Sequence, residues 1–175
     1  MKKFSRRDIE LLLNKDKYTF IRFYKEYASK LVVHVNCIVK NVENAKDIVE
    51  DIFINFYKHV KSYDPDKSNI FTWLCVVSKN LAINYINKEN KIEISELNDA
   101  MYGKESKPSL MLLDLKEIMK PDEYEIMVLK HINDLTVKEV CIVMNVTERT
   151  IFRKLKNIEK IVRKYVEENK YEKKY

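Results

Sequence analysis

The chain has 175 residues, of which 46% are hydrophobic and 34% are charged, and its formal net charge is +6. A single glycine and three prolines leave almost no material for tight hairpins, so the composition favours an all-α fold of one or two small domains. The same shortage excludes phosphate-binding loops and dinucleotide-binding fingerprints, because each of these motifs needs several glycines.

The apolar periodicity predicts three helices in the first 61 residues: a short one over 5–13, a long amphipathic one over 17–40, and one over 45–61. The third helix has apolar residues at alternating three- and four-residue spacing, and its opposite face is acidic or polar. Acidic side chains near a helix N-terminus can stabilise the helix by interacting with its dipole, or they can bind a basic partner. Both interpretations stay open at this point.

A loop over 62–69 is predicted next, followed by a helix with the sequence IFTWLCVVSKNLAINYINKEN. Its predicted core stripe consists of Phe71, Leu74, Val77, Leu81 and Tyr85. A second stripe consists of Trp73, Val76, Asn80, Asn84 and Asn87, flanked by Lys79 and Lys88. Asparagines beside an aromatic ring and two lysines suit unstacked nucleic-acid bases. The alternative is a solvated polar face with Trp73 in the core.

Residues 91–107 show no helical periodicity of apolar residues, they contain the only glycine of the sequence, and Pro108 follows them. We therefore predict an N-terminal helical domain over 1–90, a flexible linker over 91–108 and a C-terminal helical domain over 109–175. Helices are expected from Ser109 to Met119 and, opened by Pro121, from residue 122 to residue 133.

The stretch TVKEVCIVMNVTERTIFRKL over 136–155 has the pattern of a helix-turn-helix. Thr136 and Glu139 form a capping box, Asn145 stands where the turn needs a positive φ, and Thr147 can cap the second helix. Residues expected to pack inward are Val140, Met144, Val146, Ile151 and Leu155. Residues 147–165 contain seven bases against two acids, which suits attraction to DNA phosphates. A purely structural helical hairpin is the alternative.

The cysteines and histidines form no recognisable site. Cys37, Cys75 and Cys141 lie far apart in apolar runs, and no pair has metal-ligand or redox spacing. We expect reduced thiols and no metal or other cofactor, with a zinc site assembled from distant residues as the alternative. The longest apolar run is about half a membrane span, so we expect a cytoplasmic protein without membrane insertion.

Two segments now carry a family resemblance. NAKDIVEDIFINFYKHVKSYD followed by FTWLCVVSKNLAINYINK resembles region two of small bacterial sigma factors, where an A-x-D-x-x-x-D/E-x-F helix precedes a T-W-L…N-L-A helix. Residues 121–166 resemble region four of the same family, and the nearest subgroup is the extracytoplasmic-function type. The chain departs from the family pattern at a few positions: Asn145 replaces a usual Gly, Cys141 an Ala and Asn84 an Asp, and Asn87-Lys88 replaces a pair of arginines.

The resemblance implies a role for each of three residue sets. Binding to core RNA polymerase falls to Asp47, Asp51, Ile54, Asn55 and Lys58. A second set would recognise the minus-10 element by capturing flipped bases and holding the melted strand. It consists of the loop over 64–69 and of Asn69, Trp73, Lys79, Asn80, Asn84 and Lys88. Recognition of the minus-35 element falls to Thr147, Glu148, Arg149, Thr150, Arg153 and Lys154.

The sequence therefore predicts a sigma factor that binds core RNA polymerase and promoter DNA and directs transcription initiation. An anti-sigma factor is a further partner that the resemblance suggests. The alternative is a helix-turn-helix regulator that acts without being a polymerase subunit. The acidic face of the third helix discriminates between the two, because such a regulator does not need it. An enzyme is not expected, since no catalytic motif is visible.

Overall fold

The computed structural model describes residues 4–59, 63–92 and 110–172, and these ranges contain helices and no strand. The all-α prediction is confirmed. The α-helices are α1 (Arg6–Leu13), α2 (Lys17–Val39), α3 (Val42–His59), α4 (Ile70–Ile92), α5 (Leu110–Ile118), α6 (Pro121–Met127), α7 (Val137–Met144) and α8 (Glu148–Glu172). α6 runs directly into a π-helical segment, Val128–Ile132.

The chain divides into two compact units, Met1–Gly103 and Lys104–Tyr175. The predicted linker over 91–108 lies outside the described residues except for its first two, which belong to α4. The predicted cap at Ser109 also lies outside them. The domain boundaries and the flexibility of the linker therefore stay predictions.

In the first unit, α2 packs against both α3 and α4. The centre of this unit is aromatic: the rings of Tyr27 and Phe71 stack with centroids 4.7 Å apart, and Phe23 meets Phe53 edge-on at 5.6 Å. Aromatic pairs in these geometries add about 0.5–1.5 kcal/mol each beyond their buried area. The core thereby fixes α3 and α4 relative to α2, and leaves one face of each helix exposed.

The buried seam of α4 differs from the predicted core stripe. Phe71 and Leu74 are buried as expected, but Val77, Leu81 and Tyr85 are only half-buried, so that part of the prediction is wrong. The buried residues of α4 are Ile70, Phe71, Thr72, Leu74, Cys75, Ser78 and Ala82. The later part of this seam consists of the small side chains Cys75, Ser78 and Ala82.

Ser78 belongs to this seam because it has a polar partner. Its hydroxyl Oγ lies 3.3 Å from Nδ1 of His34, which is fully buried on α2. The same hydroxyl donates a hydrogen bond of 2.9 Å to the Cys75 carbonyl. A buried polar side chain without a partner is costly, and these contacts avoid that cost. His34 is therefore a hydrogen-bonded histidine of the core.

In the second unit, α6 packs against α8, and α7 packs against α8 and the π-helical segment. The core of this unit includes Leu115, Ile126, Leu129, Val140 and Ile151, all essentially inaccessible to solvent. The predicted helix over 122–133 is not a regular α-helix throughout, since its last turn is π-helical. Asp134 then adopts a left-handed conformation with φ 58° and redirects the chain towards α7.

Candidate nucleic-acid interface

The α7–α8 hairpin has the local structure that its sequence predicts. The Thr136 backbone N–H donates to Oε2 of Glu139 at 2.8 Å, and the Glu139 N–H donates to Oγ1 of Thr136 at 3.3 Å. Asn145 is left-handed at φ 53°, and the Thr150 N–H donates to Oγ1 of Thr147 at 3.4 Å. The turn between the helices is thus three residues long, and caps satisfy free N–H groups at the start of both helices.

One inward-facing residue of the hairpin was assigned wrongly. Val146 is 36% exposed, and Val143 is buried in its place. The reason is geometric: Val143 lies three residues after buried Val140 on the same face of α7, whereas Val146 follows the left-handed Asn145 after the helix has ended. Ile151 is buried as expected, while Met144 and Leu155 are half-buried.

Two polar contacts hold α8 against α6. Nζ of Lys154 donates to the carboxylate of Asp122, and Nδ2 of Asn157 donates to Oε1 of Glu123 at 2.9 Å. The hydrogen bond from Lys154 lowers the pKa of Asp122 from its ordinary range. The Lys154 side chain is only 20% exposed, so its ammonium would have to be shared between Asp122 and a phosphate. The predicted contact of Lys154 with DNA stays a prediction.

The other predicted minus-35 residues lie together at the start of α8. Thr147, Glu148, Arg149 and Arg153 are exposed, and Thr150 is half-buried with its hydroxyl 3.1 Å from that of Thr147. Arg149 and Arg153 are four residues apart, which places them on one face of the helix. Within the described ranges neither guanidinium forms an ion pair.

The cations of α8 fall into two groups. Nearer its C-terminus, Arg163 pairs with Glu159 at 2.9 Å, and Lys164 pairs with Glu168 at 3.7 Å. The N-terminal half holds Arg149, Arg153, Lys156 and Lys160 without such a carboxylate in the described part of the chain. Unneutralised cations on one stretch of helix create the local positive potential that a phosphate backbone requires.

An open groove of about 480 Å³ lies between the start of α6 and the middle of α8. It is lined by Lys120, Glu123, Arg153, Lys154, Lys156, Asn157 and Lys160. Sequence reasoning did not assign Lys120, Lys156 or Lys160 to a site. The spacing of Lys156 and Lys160 from Arg153 could have indicated them, but Lys120 reaches this groove only through the tertiary fold.

In the first unit, the exposed face of α4 carries a row of polar residues. Asn80, Asn84 and Lys88 are exposed at successive four-residue intervals, so they follow one side of the helix for about 12 Å. Lys79 is half-buried beside them. This row has the donors and acceptors that base edges and phosphates need.

Trp73 lies at the N-terminal end of that face, half-buried against Phe56 and Tyr63 with ring centroids 5.7 and 5.8 Å away. The preceding loop is fixed by two hydrogen bonds: the Tyr63 hydroxyl donates to the Ser68 carbonyl at 2.8 Å, and the Phe71 N–H donates to Oδ1 of Asn69 at 2.9 Å. Burial raises the pKa of Tyr63 to about 12, so the phenol keeps its donor proton near neutral pH. Trp73 is therefore neither wholly in the core nor wholly exposed.

The predicted polymerase-binding residues lie on one exposed face of α3, opposite its buried apolar face. That face consists of Asp47, Asp51, Ile54, Asn55 and Lys58, all exposed. Ile54 is 49% exposed, although its neighbours Ile52 and Phe53 are almost fully buried. Among the described residues, Asp47 and Asp51 form no ion pair. Carboxylates beside an exposed isoleucine make a surface suited to a basic partner with an apolar contact point.

The described residues form neither a metal-binding cluster nor a membrane-spanning helix. In the described part of the chain, no group of three His, Cys, Asp or Glu side chains is arranged to hold a metal ion. Over the same residues, no helix has both the length and the apolar character needed to cross a membrane.

Comparison with known proteins gives a consistent result. Residues 22–92 match the family model of Sigma-70 region 2. The chain is 27% identical over 139 residues to the ECF RNA polymerase sigma factor SigM of Bacillus subtilis, covering 74% of this chain and 84% of that protein. It is 25% identical over 155 residues to the ECF RNA polymerase sigma factor SigW of the same species, covering 78% and 82%.

Two solved structures share the fold. The sigma factor RpoE from Bartonella quintana, solved with the anti-sigma factor NepR, superposes with a TM-score of 0.67 at 15% identity, covering 85% of this chain and 96% of that one. CnrH, solved with the cytosolic domain of CnrY, superposes with a TM-score of 0.64 at 13% identity, covering 93% and 96%.

Proposed function

We propose that this chain, which is a sigma factor of the extracytoplasmic-function type, grips core RNA polymerase through the exposed face of α3 and reads a promoter with α4 and α8. The chain directs promoter-specific transcription initiation together with RNA polymerase. The proposal concerns which of its residues bind each partner.

The observation that carries the proposal is the exposed face of α3. Asp47, Asp51 and Asn55 lie one turn apart on a helix whose other face is buried, and the two carboxylates are not neutralised by a described ion pair. Ile54 adds an apolar contact in the middle of the same face. A soluble DNA-binding regulator has no use for this arrangement, whereas a subunit that docks on polymerase does.

For the minus-10 element, we propose that α4 acts by binding free bases. Asn80, Asn84 and Lys88 would contact bases and phosphates of the separated strand. Asn69 and Trp73, near the N-terminal end of α4, and Lys79, next to Asn80, would add further contacts. Binding unstacked bases in preference to paired ones offsets the few kcal/mol that unstacking each step costs. The chain thereby favours strand separation without making or breaking a covalent bond, and it acts by binding rather than by catalysis.

For the minus-35 element, we propose that the N-terminal half of α8 enters the major groove. Arg149 and Arg153 are placed to meet base edges or phosphates, with Thr147, Glu148 and Thr150 at the helix start. The groove around Lys120, Lys156 and Lys160 would follow the phosphate backbone beside that site. This division of contacts into reading and positioning is usual in protein–DNA interfaces.

A further part of the proposal concerns the regulation and the cellular location of the chain. One similar structure is a sigma factor bound to an anti-sigma factor. We propose that a partner of that class controls this chain by covering the face of α3. The protein would act in the cytoplasm, where RNA polymerase and the chromosome are.

Charge reversal on α3 tests the proposal. Asp51→Lys should abolish retention of core RNA polymerase in a pull-down, because it places a cation on the docking face, and it should leave binding to a duplex minus-35 fragment unchanged. Glu10→Lys, at an exposed acid on α1, is the matched control and should retain polymerase. Undiminished polymerase binding by Asp51→Lys would show that α3 is not the docking face.

A further inference from the structure

α8, the helix proposed to enter the major groove, exposes the aromatic side chain of Phe152. Phe152 lies on α8 with 56% of its surface accessible to solvent, while its neighbour Ile151 is fully buried. A phenylalanine this exposed contributes little to the stability of the hairpin, because most of its ring stays in water. The exposed part of the ring is therefore accessible to a binding partner.

The surroundings of Phe152 are cationic. Arg149 lies three residues before it and Lys156 four residues after it, so both flank the ring on the helix surface. Arg153 is the next residue along the chain. Of these three cations, none forms an ion pair in the described ranges, so the apolar ring stands within a surface of positive charge.

That combination of groups restricts the partner. Cations around the ring require an anionic surface, and the ring itself requires an apolar group within that surface. In the major groove of DNA the phosphates supply the charge, and the apolar group on a base edge is the C5-methyl of thymine. A protein partner rich in carboxylates would satisfy the cations as well, but it would not explain why the ring stands at the start of the helix that carries the reading residues.

We propose that Phe152 reads a thymine in the minus-35 element by contact with its 5-methyl group. This inference rests on the proposed function, since it takes α8 as the helix that enters the major groove. The contacted thymine lies next to the base pairs that Arg149 and Arg153 approach. Phe152 is thereby a specificity-determining residue that adds an apolar contact to the polar ones made by the arginines.

The test removes the methyl group alone. A promoter fragment selected by run-off transcription with holoenzyme is resynthesised with each minus-35 thymine replaced in turn by deoxyuridine. The full chain, bound to core RNA polymerase, should lose affinity by about fourfold at one position, the value expected for one buried methyl group. Phe152→Ala should bind the thymine and deoxyuridine fragments equally, and Phe152→Leu should keep part of the preference.

Val166→Ala is the matched control, because it shortens another exposed apolar side chain of α8 about 21 Å further along the helix. It should keep the full preference for thymine. A selected promoter without a minus-35 thymine, a wild-type preference absent at every position, or a preference that survives in Phe152→Ala would each overturn the inference.

The outcomes also separate this inference from the proposed function. If the wild-type holoenzyme starts transcription but ignores the methyl groups, only the role of Phe152 fails. If it starts no transcription on any fragment, the function itself fails. If Phe152→Ala loses core polymerase in a pull-down instead, the ring contacts protein and the inference is overturned.

Discussion

Nδ2 of Asn157 on α8 donates a hydrogen bond of 2.9 Å to Oε1 of Glu123 on α6. Glu123 is only 5% exposed, so its carboxylate depends on protein donors rather than on water. Asn157→Ala should therefore lower the free energy of unfolding of the second unit by about 1–3 kcal/mol, the usual cost of a buried polar group that loses a partner. Urea unfolding followed by circular dichroism measures this loss.

Two controls accompany that substitution. Glu159→Ala removes an exposed ion pair on the same helix and should cost under about 1 kcal/mol. The single tryptophan, Trp73, is in the first unit, so its fluorescence transition should not move. An unchanged midpoint for Asn157→Ala would mean that the hydrogen bond does not hold α8 in place.

The second prediction concerns pH and the neighbouring pair Lys154–Asp122. The hydrogen bond from Lys154 lowers the pKa of Asp122 below 3.8 in the folded chain. Unfolding breaks this bond and raises the pKa of Asp122, so in acid the unfolded chain binds more protons than the folded one. The stabilisation is present above about pH 4 and is lost as the pH falls through the folded-state pKa. Because the Asp122 side chain is 48% exposed, we expect less than about 1 kcal/mol.

Asp122→Asn should remove this part of the acid sensitivity. The difference in urea midpoint between pH 6 and pH 3, measured for the second unit, should be smaller in the variant than in the wild type. Glu117→Gln serves as a comparison, since Glu117 is an exposed acid on α5 that forms no ion pair among the described residues. An equal difference in wild type and Asp122→Asn would contradict the pairing.

A third prediction tests the turn of the hairpin. Asn145 has φ 53°, a conformation that a β-branched residue adopts only at a cost. Asn145→Val should lower the stability of the second unit by about 1–2 kcal/mol, whereas Asn145→Gly should stay within about 0.5 kcal/mol of wild type. The urea unfolding midpoints of the two variants measure this difference in stability. Equal midpoints would show that the turn relaxes to another geometry.

The fourth prediction separates base reading from phosphate binding. Arg153→Ala should weaken binding to the selected minus-35 duplex by about 1–3 kcal/mol if its guanidinium is bidentate to a guanine, and should weaken unrelated duplexes less. Lys160→Ala, at the groove, should weaken all duplexes alike and reduce the salt slope by about 1. Fluorescence anisotropy over a salt series gives both quantities.

Two results would count against that division of roles. Equal losses on every duplex for Arg153→Ala would assign Arg153 to the phosphates. An unchanged salt slope for Lys160→Ala would remove the groove from the DNA-binding surface.

The fifth prediction concerns the exposed face of α4. The double substitution Asn80→Ala with Asn84→Ala should lower the affinity of holoenzyme for a fork fragment with a single-stranded minus-10 element, because it removes two amides that can bond to base edges. A bidentate contact between a side-chain amide and a base edge contributes about 1–3 kcal/mol of discrimination. Binding of a fully paired minus-35 fragment should not change, and equal losses on both fragments would indicate a general defect instead.

Short-range physical chemistry explains which parts of the site could be predicted from the sequence. The capping box of Thr136 and Glu139 and the left-handed Asn145 depend on residues a few positions apart, and both are present as expected. The exposed face of α3 also follows from helical spacing alone. These features need no knowledge of how the helices pack.

Features that depend on tertiary contacts were missed. Ser78 is polar, so a rule that buries apolar residues placed the core of α4 on Val77 and Leu81, whereas the hydrogen bond with His34 allows Ser78 into the seam. Lys120 is distant from α8 in sequence, and only the fold brings it to the groove. The hydrogen bond from Lys154 to Asp122 likewise depends on how α6 packs against α8.

The most direct test of the central claim is reconstitution with core RNA polymerase. The purified chain is first used to retain core enzyme in a pull-down, and the resulting holoenzyme then transcribes pooled promoter fragments in a run-off assay. We expect stoichiometric binding and start sites that core enzyme alone does not use. Binding of the chain to duplex DNA without any association with polymerase would contradict the account, and would indicate a helix-turn-helix regulator instead.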